Sequence, residues 1–208
     1  MYQEFILSLL ILFIIYFLFY NDSRIGVEAF NGKIYKVKHS TDKQFLKQKA
    51  DYLAELDTKA HKIVNHMYDN NLPTGEISKR THSRFSNAPL CEVPSGDNSA
   101  AFTINKGPIN LCIFKDGKFN DKNDAFFVIL HELAHIMSNS FGHGDEFKQN
   151  FNFIVKLAVK LDLWKDREYE KKPEEYCGVK ITTSPCDNET CKNENLEYYF
   201  KESLLDYK

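Results

Sequence analysis

The sequence predicts an α+β domain, with a short antiparallel sheet and a helix that carries a candidate active site, preceded by one N-terminal transmembrane helix. Three observations lead to this fold class. Residues Phe5–Tyr20 are almost wholly apolar, which is typical of a membrane span. Apolar side chains recur at helical spacing in later stretches. Two β-prone runs flank the turn residues Asn105–Pro108, a pattern that indicates a hairpin.

The composition of the 208 residues narrows the class of protein. Aromatic residues make up 14% of the chain, enough apolar surface to exclude a wholly disordered protein. The 27 Lys and Arg residues nearly balance 29 Asp and Glu residues, which leaves a net charge of −2. This balance excludes a long basic surface, so we expect no nucleic-acid partner. The length fits one domain with an appendage.

The apolar run at the N-terminus predicts an uncleaved membrane anchor. A helix over Phe5–Tyr20 rises ~24 Å, and one that begins at Tyr2 rises ~28 Å, close to a ~30 Å hydrocarbon core. We therefore expect residues 2–20 to lie in a lipid bilayer. A cleavable signal peptide is the alternative, but it would need basic residues before the run and small residues at its end. A buried core helix would need a polar face, which the run lacks.

The charges around this run predict its orientation. Lys and Arg residues follow the run and none precedes it, so the positive-inside rule places the C-terminal domain on the cytoplasmic side of a host or virion membrane. The five cysteines are Cys91, Cys112, Cys177, Cys186 and Cys191. An odd number in a medium-sized domain does not suggest a secreted disulfide framework. We expect Cys91 and Cys112 to be small buried residues, and the last two to be free.

Four segments are expected along the chain, with an anchor at 1–20 and a tether with some extended structure at 21–40. The folded domain occupies 41–183, and a charged tail occupies 184–208. Thr41–Gln44 is a capping box that opens the first helix of the domain, and Asn70–Pro73 ends that helix. The stretch that follows, to about Asp97, has the composition of a loop with short strands.

The second half of the domain begins with the hairpin Ala101–Phe114. A second helix is expected from Asp121 or Asp124 to Ser138. Glycines at 142 and 144 break the pattern, and Asp145 is a credible N-cap for a third helix. Residues 176–183 have the pattern of one further short strand.

The second helix carries the pattern HExxH, formed by His131, Glu132 and His135. Two histidines four residues apart lie on one face of a helix, close enough for both imidazoles to bind one zinc ion. Glu132 lies beside them, where it can accept a proton from an activated water. Two ordinary helix histidines are the alternative, but imidazoles buried without partners in so apolar a helix would be costly.

A catalytic zinc site needs a third protein ligand. His143 is the preferred candidate because the glycines on both sides of it allow the chain to turn back toward the second helix. Carboxylates can fill the same role, so Asp145, Glu146 and the more distant Glu168 are alternatives. Asp145 is better explained as a helix cap.

These motifs resemble the WLM and SprT-like zincin metalloproteases. The resemblance rests on His131–His135, followed by His143-Gly144-x-x-Phe147 at the start of the next helix, and covers roughly residues 95–183. The hairpin 101–114 is similar to the edge strand of those families. The segment 176–182 resembles a C-terminal part of related peptidases, some membrane-anchored, predicted in large DNA viruses.

The resemblance implies a zincin-like domain with one Zn²⁺ per chain, bound by His131, His135 and His143. It also implies hydrolysis of a peptide or protein substrate, with Glu132 as the general base. Zincins often use a Tyr or His to stabilise the oxyanion, and Tyr176 is a candidate for that role unless it is a core residue. The alternative function is a non-catalytic, membrane-anchored structural or scaffolding protein, for example of a virion. An intact Glu132 argues against this alternative, because a structural zinc site does not need that carboxylate.

Overall fold

The computed structural model describes residues 6–10, 24–86 and 89–185. Four long helices occupy this part of the chain: α1 (Lys43–Asp69), α2 (Gly75–Phe85), α3 (Lys122–Met137) and α4 (Asp145–Lys160). The strands are β1 (Arg24–Glu28), β2 (Ile34–Lys38), β3 (Cys91–Glu92), β4 (Ala101–Thr103), β5 (Ile109–Leu111), β6 (Phe114–Lys115), β7 (Lys118–Phe119), β8 (Glu174–Tyr176) and β9 (Val179–Ile181). The helices α1, α3 and α4 and the β4–β5 hairpin confirm the sequence predictions within a few residues.

The main sheet has five strands in the order β1-β2-β3-β5-β4. The outer pairs β1–β2 and β5–β4 are antiparallel, whereas β2–β3 and β3–β5 are parallel. The predicted short antiparallel sheet is therefore corrected to a mixed sheet. Its parallel β2–β3 pair requires a long crossover, which α1 and α2 supply. Strand β4 lies at one edge of this sheet and packs against α3.

The predicted N-terminal transmembrane helix is wrong, and so is the single-pass membrane localisation with a cytoplasmic-facing domain that depended on it. In the described part of the chain, no helix is both long enough and apolar enough to cross a bilayer. Within the apolar run only residues 6–10 are described, as a helical stretch. Five helical residues rise only ~8 Å, whereas a hydrocarbon core is ~30 Å thick. The rest of the predicted anchor lies outside the described residues.

The segment expected to be a tether contributes two strands to the main sheet. Alternating side chains of β2 point inward, and Tyr35 and Val37 are fully buried. The Arg24 guanidinium donates to the Glu92 carbonyl of β3 at 2.7 Å, and the buried Tyr35 hydroxyl donates to the Asp57 carboxylate of α1 at 2.9 Å. Because the strands and these contacts connect residues 24–38 to the sheet and to α1, this segment is part of the folded domain.

Helix α2 lies in the stretch expected to be a loop. The Thr74 hydroxyl caps it by accepting the Ile77 N–H at 3.3 Å. Its buried positions are Ser78, Thr81 and Phe85, so polar side chains occupy most of its inner face. A face of this composition produces no apolar periodicity in the sequence.

The β8–β9 hairpin is attached to the chain after β5 by a disulfide between Cys112 and Cys177. Cys177 and Gly178 form its two-residue turn with φ of 49° and 84°, the left-handed pair of a type I′ turn. The Tyr176 hydroxyl donates to the Cys112 carbonyl at 2.6 Å. Cys112 is therefore buried as expected, but as half of a disulfide. The cysteines at 186 and 191, and the tail from 186, lie outside the described residues.

Candidate metal centre

Helix α3 and the loop after it bring three histidines together. His131 and His135 lie one turn apart on α3, and the loop 138–144 returns His143 to them. The Nε2 atoms of His143 and His131 are 3.1 Å apart, and one nitrogen from each of the three rings lies within 4.8 Å of the other two. Tetrahedral zinc at ~2.0–2.1 Å from nitrogen ligands places those ligands ~3.3 Å apart. The separations of the three histidine nitrogens are therefore compatible with a bound zinc ion.

The environment of the two helix histidines, His131 and His135, favours their neutral form. Burial, and secondarily the neighbouring imidazoles His135 and His143, lower the pKa of His131 to about 4. Burial also lowers the pKa of His135 to about 4, with smaller effects from His143 and Lys106. Neutral imidazole is the form that binds a metal ion, so these two histidines need lose no proton to bind one at neutral pH.

Phe147 forms the floor of this cluster. It is buried, and its ring centroid lies 4.8 Å from that of His131, 4.3 Å from His135 and 4.6 Å from His143. One aromatic ring from the first turn of α4 therefore limits the positions of all three imidazoles. This contact explains why the phenylalanine at that spacing accompanies the third histidine in the sequence motif.

The loop that carries His143 is held by side chains from two elements. Glu146, in the first turn of α4, accepts the N–H groups of Asn139 and Ser140 at 2.7 and 2.9 Å. Lys106, in the β4–β5 turn, donates to the carbonyls of Ser138, Asn139 and Ser140, the last two at 2.8 and 3.1 Å. Charged side chains thus pair with the N–H groups of residues 139 and 140 and with the carbonyls of residues 138–140.

Two arginines of α2 bind the C-terminal end of α3. Arg80 donates to the Met137 carbonyl at 2.6 Å, and Arg84 donates to the Ile136 carbonyl at 2.8 Å. Cations at a helix C-terminus satisfy free carbonyls and interact favourably with the helix dipole. Sequence reasoning missed these two arginines and Lys106, because their targets are backbone atoms more than thirty residues away along the chain.

The other candidate ligands lie elsewhere. Asp145 is the first residue of α4, whose N-cap is Gly144 without a side-chain bond, so the predicted capping role is wrong. Its side chain is 90% exposed. Glu146 is engaged with the loop backbone, and Glu168 pairs with Lys171 at 3.0 Å. Tyr176 is a core residue whose hydroxyl donates to the Cys112 carbonyl, so it fits the alternative prediction of a core residue and not the role in stabilising an oxyanion.

Glu132 lies beside the histidines in a different environment. Its side chain is only 6% exposed, and burial raises its pKa to about 7. The Thr103 side chain, at the end of β4, forms a hydrogen bond with the Glu132 carboxylate that partly opposes this effect on the pKa. Thr103 is a further contributor that the sequence did not indicate, because its partner is on another element.

Two cavities meet at the cluster. The first, of about 390 Å³, extends from His131, Glu132 and His143 along β4 toward Lys106 and the loop residue Phe141. The second, of about 410 Å³, is bounded by the same three residues, by the start of β4 and by apolar side chains of α3, α4 and β9. The cluster therefore lies in the middle of a cleft that follows the edge strand.

No family model matches this chain, and no solved structure matches it significantly. The chain is similar to uncharacterized viral proteins. It is 36% identical over 103 residues to uncharacterized protein R325 of Acanthamoeba polyphaga mimivirus, a match that covers 48% of this chain and 52% of the relative. It is 34% identical over 79 residues to uncharacterized protein 136R of Invertebrate iridescent virus 6, covering 36% of this chain and 44% of the relative. It is 31% identical over 85 residues to uncharacterized protein 042R of Invertebrate iridescent virus 3, covering 40% and 52%. This chain thus spans about half the length of the relatives it matches.

Proposed function

We propose that this protein is a zinc-dependent metallopeptidase of the zincin type, similar to the WLM and SprT-like enzymes. The observation that carries the proposal is the arrangement of Glu132, nearly buried, beside a three-histidine cluster in a cleft along an edge strand. A structural zinc site has no need of a carboxylate in that position, whereas hydrolysis of an amide requires a proton acceptor beside the attacking water.

The residues have distinct roles in this proposal. His131, His135 and His143 would hold the metal through one nitrogen each. Zinc bound there supplies Lewis acidity, which polarises the scissile carbonyl and lowers the pKa of water toward ~7. Glu132 accepts the proton of the attacking water and donates it to the leaving amine. Thr103 orients the carboxylate for both transfers.

The pKa of Glu132 suits this role. A general base or acid works best when its pKa lies near the working pH, because it must both accept and donate a proton within one cycle. Burial raises the pKa of Glu132 to about 7 in the metal-free protein, and a bound cation would lower it toward its ordinary value, so that the carboxylate, which can accept a proton, would be the main form at neutral pH.

Strand β4 supplies a backbone surface for the substrate. Of its two edges one pairs with β5, and the described strands leave the other edge, along the cleft, without a partner strand. An extended peptide can add to such an edge through main-chain hydrogen bonds. Addition there would bring a substrate carbonyl to Glu132 and the histidines, because α3 packs directly against β4.

Metal content and hydrolysis of casein test the proposal, in the full chain and in Glu132→Gln. We expect one zinc per chain in both proteins, and a fall in hydrolysis of at least ~10²-fold in the variant, the usual lower limit for loss of a general base. Glu168→Gln is the matched control, because it makes the same substitution at an exposed site away from the three histidines. A folded wild-type protein that contains no zinc would refute the proposed enzymatic function. A wild-type protein that contains zinc but does not hydrolyse casein would refute it too, and would favour the scaffolding alternative.

A further inference from the structure

The β8–β9 hairpin forms one wall of the cleft at the candidate metal centre. Residues 179–183, which comprise β9 and the two threonines after it, line the second cavity together with His131, Glu132 and His143. A displacement of the hairpin therefore changes the shape of the cleft directly beside the three histidines. The attachment of the hairpin is thus one determinant of what the cleft can bind.

The covalent attachment of this hairpin lies at its turn. Strands β8 and β9 form a separate two-stranded sheet, and in the described part of the chain no third strand pairs with either of them. The disulfide joins Cys177, in the turn, to Cys112 after β5. Around it the Tyr176 hydroxyl donates to the Cys112 carbonyl at 2.6 Å, and the Asn120 amide donates to the Cys177 sulfur at 3.0 Å. A two-stranded hairpin alone is only marginally stable in water, so its position depends on these contacts.

Most of the hairpin faces solvent, although its turn is attached. Gly178, Val179 and Lys180 are exposed, whereas Tyr176 and Cys177 are buried. Only 6% of Cys177 is exposed, but it lies next to Gly178 in the turn, so a small opening of the hairpin presents its sulfur to a reductant. Reduction of this disulfide therefore needs a local opening and not the unfolding of the core.

We propose that the Cys112–Cys177 disulfide is a redox switch that controls substrate affinity in the cleft, and that the disulfide-bonded form is the one that binds substrate. A dithiol reductant supplies the two electrons. One of its thiolates attacks a sulfur of the disulfide, the S–S bond breaks, two protons pass to the thiols of Cys112 and Cys177, and the dithiol leaves as a disulfide. This inference rests on the proposed peptidase function, which makes the ligand an extended segment of a protein.

Reduction acts on the hairpin because it removes the covalent attachment and leaves the contacts of Tyr176 and Asn120 to hold the turn. A mobile wall must be ordered again when substrate binds, and the cost of that ordering weakens binding. Linkage is reciprocal, so bound substrate makes the disulfide harder to reduce by the same factor. The three histidines lie on α3 and the loop after it, which the disulfide does not join, so reduction should leave a bound metal in place.

Hydrogen exchange in the metal-free full chain tests the switch without reference to catalysis. The disulfide-bonded protein is compared with protein reduced by a phosphine, which is then removed, and with the double variant Cys112→Ser/Cys177→Ser. We expect the amides of Glu174–Ile181 to exchange faster in both reduced forms, while those of α3 stay protected. Cys91→Ser is the matched control, because Cys91 is a buried cysteine on β3 that takes no part in this disulfide, and its hairpin should still respond to reduction.

Binding of denatured casein to zinc-loaded, full-length Glu132→Gln measures the effect on affinity independently of hydrolysis. We expect reduction to weaken binding by ~5- to 150-fold, the usual range for coupling between two sites, while one zinc per chain is retained. Reoxidation should restore the affinity, and adding Cys91→Ser should leave this response unchanged. In a buffer of reduced and oxidised dithiol, casein should shift the metal-free protein toward the disulfide-bonded form.

The outcomes separate the switch from the peptidase. Equal affinity for casein in the two redox states, or equal exchange of the hairpin amides, overturns the switch and leaves the peptidase standing. Loss of zinc, or of protection in α3, on reduction also overturns the switch, because the disulfide would then support the whole domain and not the hairpin. Redox-dependent binding of casein without any hydrolysis by disulfide-bonded, zinc-containing wild type overturns the peptidase and supports the switch at a site that only binds peptides.

Discussion

Replacing Glu132 by Gln should stabilise the metal-free protein while it abolishes activity. The carboxyl group is nearly buried, and burial raises its pKa from 4.5 to about 7. A carboxyl group with a raised pKa in the folded state binds more protons folded than unfolded, so it lowers the stability at every pH above its unfolded pKa. Gln has almost the same shape but never ionises, so it does not lower the free energy of unfolding in this way.

The size of the effect follows from the two pKa values. At pH 8 the ionised carboxylate costs the folded protein about 3 kcal/mol, and at pH 5.5 it costs about 1 kcal/mol, since one pKa unit corresponds to ~1.4 kcal/mol. The advantage of Glu132→Gln should grow by about 2 kcal/mol between these pH values. His131 and His135 titrate in both proteins, so their contributions cancel in the difference.

Urea unfolding in the presence of a chelator, from pH 5.5 to 8.5, measures this difference. Zinc should reduce it at high pH, because a cation beside the carboxylate favours the charged form. Glu168→Gln is again the control, because it makes the same substitution at an exposed site. A difference between wild type and Glu132→Gln that is flat with pH would refute the reasoning, since it would mean that Glu132 is well solvated or already paired in the folded protein.

Three other predictions concern the ligands, the general base and the disulfide. His143→Ala should weaken zinc binding and hydrolysis together, as measured by competition with a chromophoric chelator, whereas Asp145→Ala should change neither; the reverse result would make Asp145 the third ligand. Thr103→Val removes a hydrogen bond that lowers the pKa of Glu132, so the acidic limb of the pH profile of kcat/KM should move to higher pH. Activity should then fall more at pH 6 than at pH 8, and an unchanged profile would contradict this role of Thr103. Replacing Cys112 and Cys177 together by Ala should lower the free energy of unfolding by roughly 4 kcal/mol, the chain-entropy value for a loop spanning 65 residues. Urea unfolding measures this change, and adding a dithiol should not destabilise the variant further.

The elements predicted correctly from the sequence are those with local signals. Helix α3 has an aspartate cap at Asp121 and a dense apolar run, and the β4–β5 turn has its own turn residues between β-prone strands. The spacing of His131 and His135 likewise determines that they share a helix face. Even here the exact caps differ, since Asp42 rather than Thr41 caps α1, and Gly144 rather than Asp145 precedes α4.

The elements that were missed depend on contacts distant in sequence. Helix α2 buries Ser78 and Thr81, and no apolar periodicity can indicate a face that is satisfied by polar packing. The pairing of Cys112 with Cys177 was hidden because the number of cysteines says nothing about which of them meet. The membrane anchor failed for the opposite reason, since composition alone favoured a span that the described helices do not provide.

The position of His143, the proposed third ligand, depends on the same strand that would bind a substrate in the proposed function. Lys106 lies in the turn that follows β4, and its ammonium group binds the carbonyls of the loop that carries His143. Thr103, at the end of β4, binds the Glu132 carboxylate. One strand therefore contacts the proposed general base at its end and holds the loop of His143 through the turn that follows it. If a peptide pairs with β4 as proposed, it contacts the strand on which both of these interactions depend, and we therefore expect substrate binding to be coupled to the geometry of the candidate metal centre. Lys106→Met, which keeps an unbranched side chain but removes its charge, should thus raise the KM for casein and weaken zinc binding in competition with a chelator. A rise in KM with unchanged zinc affinity would contradict this coupling.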